Sequence, residues 1–191
     1  MSLWRRGEVG EPASWILAVA AMIVAVGKVW NLVNPRFYTG PYFTGILLGF
    51  FVHEVSHRGI ARWYGLYSEF RATITGLLVT VATGFIPGIV ILAPGYVAVY
   101  SWGGGGRRGW IRSVEAGPAS NIILALALLA SSLVLGGWAG YYLRVMASIN
   151  AWIAFFNLLP VPPLDGAKIA RADPGIWGLL LAVSLALLFY P

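Results

Sequence analysis

Residues 53–57 read His-Glu-Val-Ser-His and directly follow the apolar run Tyr42-Phe43-Thr44-Gly45-Ile46-Leu47-Leu48-Gly49-Phe50-Phe51-Val52. On a helix, His53 and His57 lie four apart and share one face. His53, Glu54, His57, Arg58 and Arg62 crowd the C-terminal third of a segment, residues 41–64, that is otherwise long and apolar enough to cross a bilayer. A crossing takes about 20 apolar residues. Polar groups at that density do not face lipid, so this side of the helix has to be buried against protein or open to water.

Composition sets the surroundings. Of 191 residues, 59% are hydrophobic and only 10% charged, against about 25% charged in a soluble domain. The chain therefore reads as an all-α polytopic membrane protein, a single integral domain over residues 1–191 with no room for a separate soluble one. There are no cysteines, which excludes disulfides, thiolate zinc sites and a cysteine nucleophile. The formal charge of +6 is scattered along loops, as expected of topology determinants, and nucleic acid is not an expected partner. Arg5 and Arg6 precede the first apolar run without a small-residue cleavage site after it, so that run reads as a retained anchor.

The anchor covers residues 14–33, with Lys28 near its far end, where it can snorkel to the headgroups. The second span is 41–64. Residues 71–100 are rich in Thr, Val and Ile and interrupted by Gly84, Pro87, Gly88, Pro94 and Gly95, a poor match to one straight helix. A full span and a re-entrant hairpin both fit. Residues 101–116 read as a basic surface loop, and spans follow at 118–135, 141–159 and 175–190, giving about six membrane segments. With the N-terminus inside and residues 74–93 dipping in and returning, Arg5, Arg6, Arg58, Arg62, Arg71, Arg107, Arg108, Arg112, Lys168 and Arg171 fall on the cytoplasmic side, and only Arg36 and Arg144 are clearly outside. The positive-inside rule favours that arrangement, which also brings the histidines and Asp165 to one membrane face.

Two imidazoles at this spacing can bind one metal, and the adjacent Glu54 can act on a water beside it. A hydrolytic zinc takes three protein ligands and keeps a fourth position open. His53 and His57 are the only histidines, so the third ligand is a carboxylate. Besides Glu54 the carboxylates are Glu8, Glu11, Glu69, Glu115, Asp165 and Asp173; Glu8 and Glu11 precede the first span, and Glu69 and Glu115 have loop-like neighbours. Asp165, between Leu164 and Gly166 at the end of an apolar span, is costly there unless paired or metal-bound. It is the third ligand by elimination and by context, with capping of the following helix as its simpler role. Asn157, buried in the preceding apolar run, either binds substrate backbone or a developing oxyanion, or packs helices. Asn121 offers the same choice. One Zn2+ per chain is inferred from the ligand types.

Three elements together, His53-Glu54-Val55-Ser56-His57, Gly117-Pro118-Ala119-Ser120-Asn121 and Asn157 through Leu164-Asp165-Gly166, resemble the site-2 protease family of intramembrane zinc metalloproteases, in a minimal prokaryotic form without a PDZ or CBS domain. The resemblance covers about residues 43–169. It implies a three-helix catalytic core, zinc held by His53, His57 and Asp165, Glu54 as acid and base, and a β-hairpin near residues 71–100 that takes substrate as an added strand. It also implies transmembrane protein substrates and a multi-pass protein of the cell membrane. A membrane metal transporter and a metal-binding scaffold without hydrolytic activity are the rival readings. A transporter should spread ligands along a path, whereas these polar groups form one compact set with Glu54 in the general-base position.

Overall fold

The computed structural model describes residues 10–100 and 106–189, and places them in two compact units, one built from the residues up to Phe37 and Glu69–Ala98, the other from Tyr38–Ser68 and the residues from Val99 on. Arg5, Arg6 and Glu8 lie outside the described residues.

In the first unit, α1 (Glu11–Asn31) packs on α4 (Ile74–Thr83). Ser14, Ala18, Ala21, Met22 and Ala25 recur at helical spacing and form the buried face of α1. Thr73 caps α4 by accepting from Gly76 N at 3.1 Å. Most of β1 (Tyr67–Ala72) and β2 (Gly95–Tyr100) also belongs here, paired as a two-stranded sheet with α4 between them in sequence. Residues 71–100 thus hold parts of a strand pair and a helix of ten residues, which rises only about 15 Å, half of a hydrocarbon core of roughly 30 Å.

Lys28 does not snorkel. It breaks α1 at φ 54°, and its ammonium is buried, donating to the carbonyls of Thr83 (2.7 Å) and Ile89. A buried ammonium needs acceptors, and the Thr83 carbonyl, on the last residue of α4, has no partner within its own helix.

A single-turn helix, α2 (Pro35–Tyr38), precedes α3 in sequence, and the second unit is a helical bundle. α3 (Pro41–Trp63), α5 (Gly106–Leu135) and α6 (Gly137–Asn157) pack pairwise against one another, with α7 (Asp165–Ala172) and α8 (Pro174–Leu188) against α5 and each other. The contacts run along ladders of small residues four apart. Gly45, Gly49, His53, His57 and Ala61 are buried on α3, and Gly109, Ser113, Gly117, Asn121 and Ala125 on α5. Small side chains let helix backbones approach closely. A Cβ at Gly49 would stand 2.7 Å from Asn150 Oδ1 on α6.

α5 corrects the loop reading of residues 101–116. From Gly106 on, this stretch is helix and runs unbroken through Pro118 to Leu135, while residues 101–105 lie outside the described residues. Arg107 and Arg108 stay exposed as the Gly109-Ser113-Gly117 ladder turns inward, so basic residues and glycines here belong to two faces of one helix. The last apolar run is preceded by α7, whose N-cap position falls on Leu164 and not on Asp165, and no side chain caps it. A cluster of Val114, Ile122, Ala154, Leu158 and Ile169 closes the bundle beside α8, and Trp177 Nε1 donates to Leu158 O at 2.8 Å.

Among the described residues two helices, α1 and α5, are long and apolar enough to cross a membrane. α3 and α6 are at least as long as α1 but are not among these candidates, and α4 and α8 are apolar but shorter. The protein is mostly helical, with one two-stranded sheet among the described residues.

Candidate metal centre

His53 and His57 project from one face of α3, with ring centroids 4.5 Å apart. Their outer nitrogens are tied down. His53 Nδ1 lies 2.7 Å from Asn121 Oδ1, and the orientation of that amide follows from its other end, where Asn121 Nδ2 donates to Gly49 O and to Asn150 Oδ1, both at 3.0 Å. Oδ1 is therefore the acceptor, and His53 Nδ1 carries the proton. His57 Nδ1 lies 2.7 Å from the carbonyl of Ser113, which only accepts, so this nitrogen is a donor too. Ser113 Oγ returns a hydrogen bond to His57 O at 2.8 Å.

With both protons on Nδ1, each Nε2 presents a bare lone pair. The two Nε2 atoms stand 2.9 Å apart, and Asp165 Oδ2 stands 3.3 Å from His53 Nε2 and 3.1 Å from His57 Nε2. Asp165 reaches them from the first residue of α7. Its position depends on Gly166, where a Cβ would collide with the carbonyls of Leu158 and Leu159 at the end of α6. Asp165 is buried, and a buried carboxylate needs a partner. Lys168 Nζ donates to its other oxygen at 2.9 Å.

Three lone-pair-bearing atoms in mutual contact repel one another unless a cation lies between them. The donor set fits zinc. Imidazole nitrogen and carboxylate oxygen are zinc ligands at about 2.0–2.2 Å, which separates neighbouring donors of a tetrahedral ion by roughly 3.3 Å. Ties from ligand imidazole N–H groups to carbonyl oxygens are the usual means of fixing the tautomer at such centres. Gly117 leaves room beside the cluster: a Cβ there would fall on His57 Nε2 and Cε1 and stand 2.8 Å from His53 Nε2.

Glu54 is buried next to His53 in sequence, and its Oε2 has no hydrogen-bond partner. A buried carboxylate oxygen without a partner is unusual. Asn157, the last residue of α6, is half-buried and donates to Ile153 O at 2.9 Å within its own helix. It forms no hydrogen bond with His53, Glu54, His57 or Asp165 among the described residues. Glu115, set aside as a loop residue, is instead a buried helical residue paired with Arg112 at 2.6 Å.

Sequence reading missed Ser113, Asn150 and Lys168 as members of this network. Asn150 holds Asn121 and itself donates to Met146 O at 2.9 Å. An amide in the middle of an apolar helix is a signal that could have found it. Ser113 acts on His57 through its backbone carbonyl, which leaves no trace in residue type.

A helical frame carrying His-His-carboxylate, with an unpartnered glutamate inside the H-E-x-x-H motif, defines the metallopeptidase class built on that motif. The sequence model of peptidase family M50 matches residues 136–174, a stretch that contains Asn157 and Asp165. A protein of Methanocaldococcus jannaschii, named provisionally as a zinc metalloprotease, is 37% identical over 140 residues, which cover 69% of this chain and 70% of that protein. No solved structure matches the chain. The chain belongs to peptidase family M50, the site-2 protease family of intramembrane zinc metalloproteases.

Proposed function

We propose that the chain is a zinc-dependent endopeptidase that cuts membrane-spanning helices of substrate proteins within the bilayer. The observation that carries this reading is the convergence of His53 Nε2, His57 Nε2 and Asp165 Oδ2, all within 4.8 Å of one another, while both outer imidazole nitrogens are committed elsewhere. One integral domain of about six membrane segments, with a cytoplasmic N-terminus, goes with it, supported by the apolar α1 and α5 and by the distribution of arginines.

His53, His57 and Asp165 would hold the zinc. When bound, zinc acts as a Lewis acid on the scissile carbonyl and on water. Glu54, buried and with Oε2 unpartnered, takes a proton from the attacking water and passes it to the amine nitrogen as the C–N bond breaks. Asn121 and Ser113 keep each Nε2 lone pair aimed inward. Asn157, with one N–H on Ile153, retains a second N–H for a substrate carbonyl. A substrate helix hides its carbonyls in its own hydrogen bonds and has to unwind locally before attack. The strands β1 and β2 offer an edge on which an unwound segment can add.

The test pairs zinc content with cleavage of a membrane-spanning peptide by detergent-purified wild type and Glu54→Gln. About one zinc in each protein, with cleavage by the wild type alone, is the expected result. Full activity in Glu54→Gln would refute the mechanism.

A further inference from the structure

A second cluster of charge lies at the start of α5 and along α7. Arg107, Lys168 and Arg171 line one cavity of about 330 Å3 together with Trp110, Pro162 and Leu164. The cations in it are not balanced alike. Arg112, further along α5, is neutralised by Glu115 at 2.6 Å and Asp173 at 3.6 Å. Lys168 is paired with Asp165. Arg107 and Arg171 form neither an ion pair nor a hydrogen bond among the described residues.

Two unpaired guanidinium groups on one cavity are matched to a phosphate, which they can grip through paired N–H donors. The rest of the lining is apolar, and Trp110 is the type of residue found at the membrane–water boundary. The cavity is at the lower end of small-molecule sites, roughly 300–1,000 Å3, and larger than a lone phosphate ion requires. Apolar walls beside the cations suit a phosphate that continues into glycerol and acyl chain.

We propose that this cavity is a binding site for the headgroup of an anionic phospholipid, held through its phosphate by Arg107 and Arg171, with Lys168 also in the lining. The site rests on the reading of the chain as a membrane protein but not on its catalytic activity. It also places a lipid phosphate beside the lysine that neutralises Asp165.

Native mass spectrometry of the full chain in detergent, titrated with phosphatidylglycerol and, separately, phosphatidylcholine, tests it in the Glu54→Gln background, where substrate turnover plays no part. The expected result is a saturable adduct with a preference for phosphatidylglycerol. Arg107→Gln with Arg171→Gln should weaken that adduct by about thirty-fold, about five-fold for each cation lost. Arg107→Lys with Arg171→Lys should restore much of it, and Arg108→Gln, which removes an exposed arginine outside the cavity lining, should leave it intact. Equal loss in Arg108→Gln would mean diffuse attraction and overturn the site. Displacement of the lipid by inorganic phosphate at matching concentration would overturn the lipid assignment in favour of a free anion. Tighter binding of a soluble acidic peptide would overturn it in favour of a protein segment.

Discussion

Asn121→Ala isolates the part of the centre that composition does not reveal. Asn121 touches no substrate in the proposed mechanism, yet its Oδ1 holds the His53 Nδ1 proton at 2.7 Å, and its Nδ2 joins Gly49 O and Asn150 Oδ1 at 3.0 Å. Truncation leaves the imidazole N–H and the Asn150 oxygen without partners in a fully buried position. Each of these two losses costs about 1–3 kcal/mol, so the fold should weaken by about 2–6 kcal/mol in all. Loss of an imidazole-orienting partner typically lowers metal affinity about 10–100-fold, or about 1.4–2.7 kcal/mol. Asn121→Asp separates the two effects. It keeps an acceptor for His53 but no longer donates to Gly49 and Asn150. Zinc affinity, read by competition with a chromophoric chelator, should fall in Asn121→Ala and stay near wild type in Asn121→Asp, while both variants unfold more readily. An Asn121→Ala protein that binds zinc as tightly as wild type would refute the assigned tautomer and the reasoning built on it.

Gly117→Ala should abolish zinc binding in folded protein, since its methyl overlaps His57 Nε2; metal analysis of the monodisperse fraction checks this. Asp165→Ala should lower bound zinc sharply, and unchanged stoichiometry would leave Asp165 only a structural role as the partner of Lys168 in the first turn of α7. Asn157→Ala should reduce kcat by less than the factor of 10²–10³ typical for removal of an oxyanion donor, with zinc content unchanged, because its one visible bond is to its own helix. A complete loss of turnover would place it among the essential groups.

The grouping of His53, His57 and Asp165, the candidate ligand set, was legible because such residues are scarce in this chain. Two histidines four apart leave few ways to complete a metal site, and the shortage of carboxylates singles out Asp165. The helical frame was legible in the apolar runs. What stayed hidden depends on partners far away in sequence. Arg107, Gly109 and Arg112 look like loop residues until the spacing of Gly109, Ser113, Gly117 and Asn121 is read as one helix face. Lys28 reads as a membrane-edge lysine because nothing in its neighbours reveals that carbonyls 55 and 61 residues away receive its ammonium. The hold of Ser113 on His57 passes through the main chain and is invisible to any reading of side-chain type.

The same spacing serves packing and chemistry in this bundle. A helix repeat of four puts Gly45, Gly49, His53 and His57 in one line on α3, so the glycines that draw α6 close and the imidazoles share a face. On α5 the matching line runs Gly109, Ser113, Gly117, Asn121, and each of the last three meets a histidine: Ser113 through its carbonyl, Gly117 by leaving room, Asn121 through its amide. Larger residues in these lines would hold the helices apart and lengthen bonds of 2.7 Å beyond use. Close packing of small residues is therefore what positions the imidazole tautomers, and a change that loosens the α3–α5 contact should lower zinc affinity before it unfolds the protein.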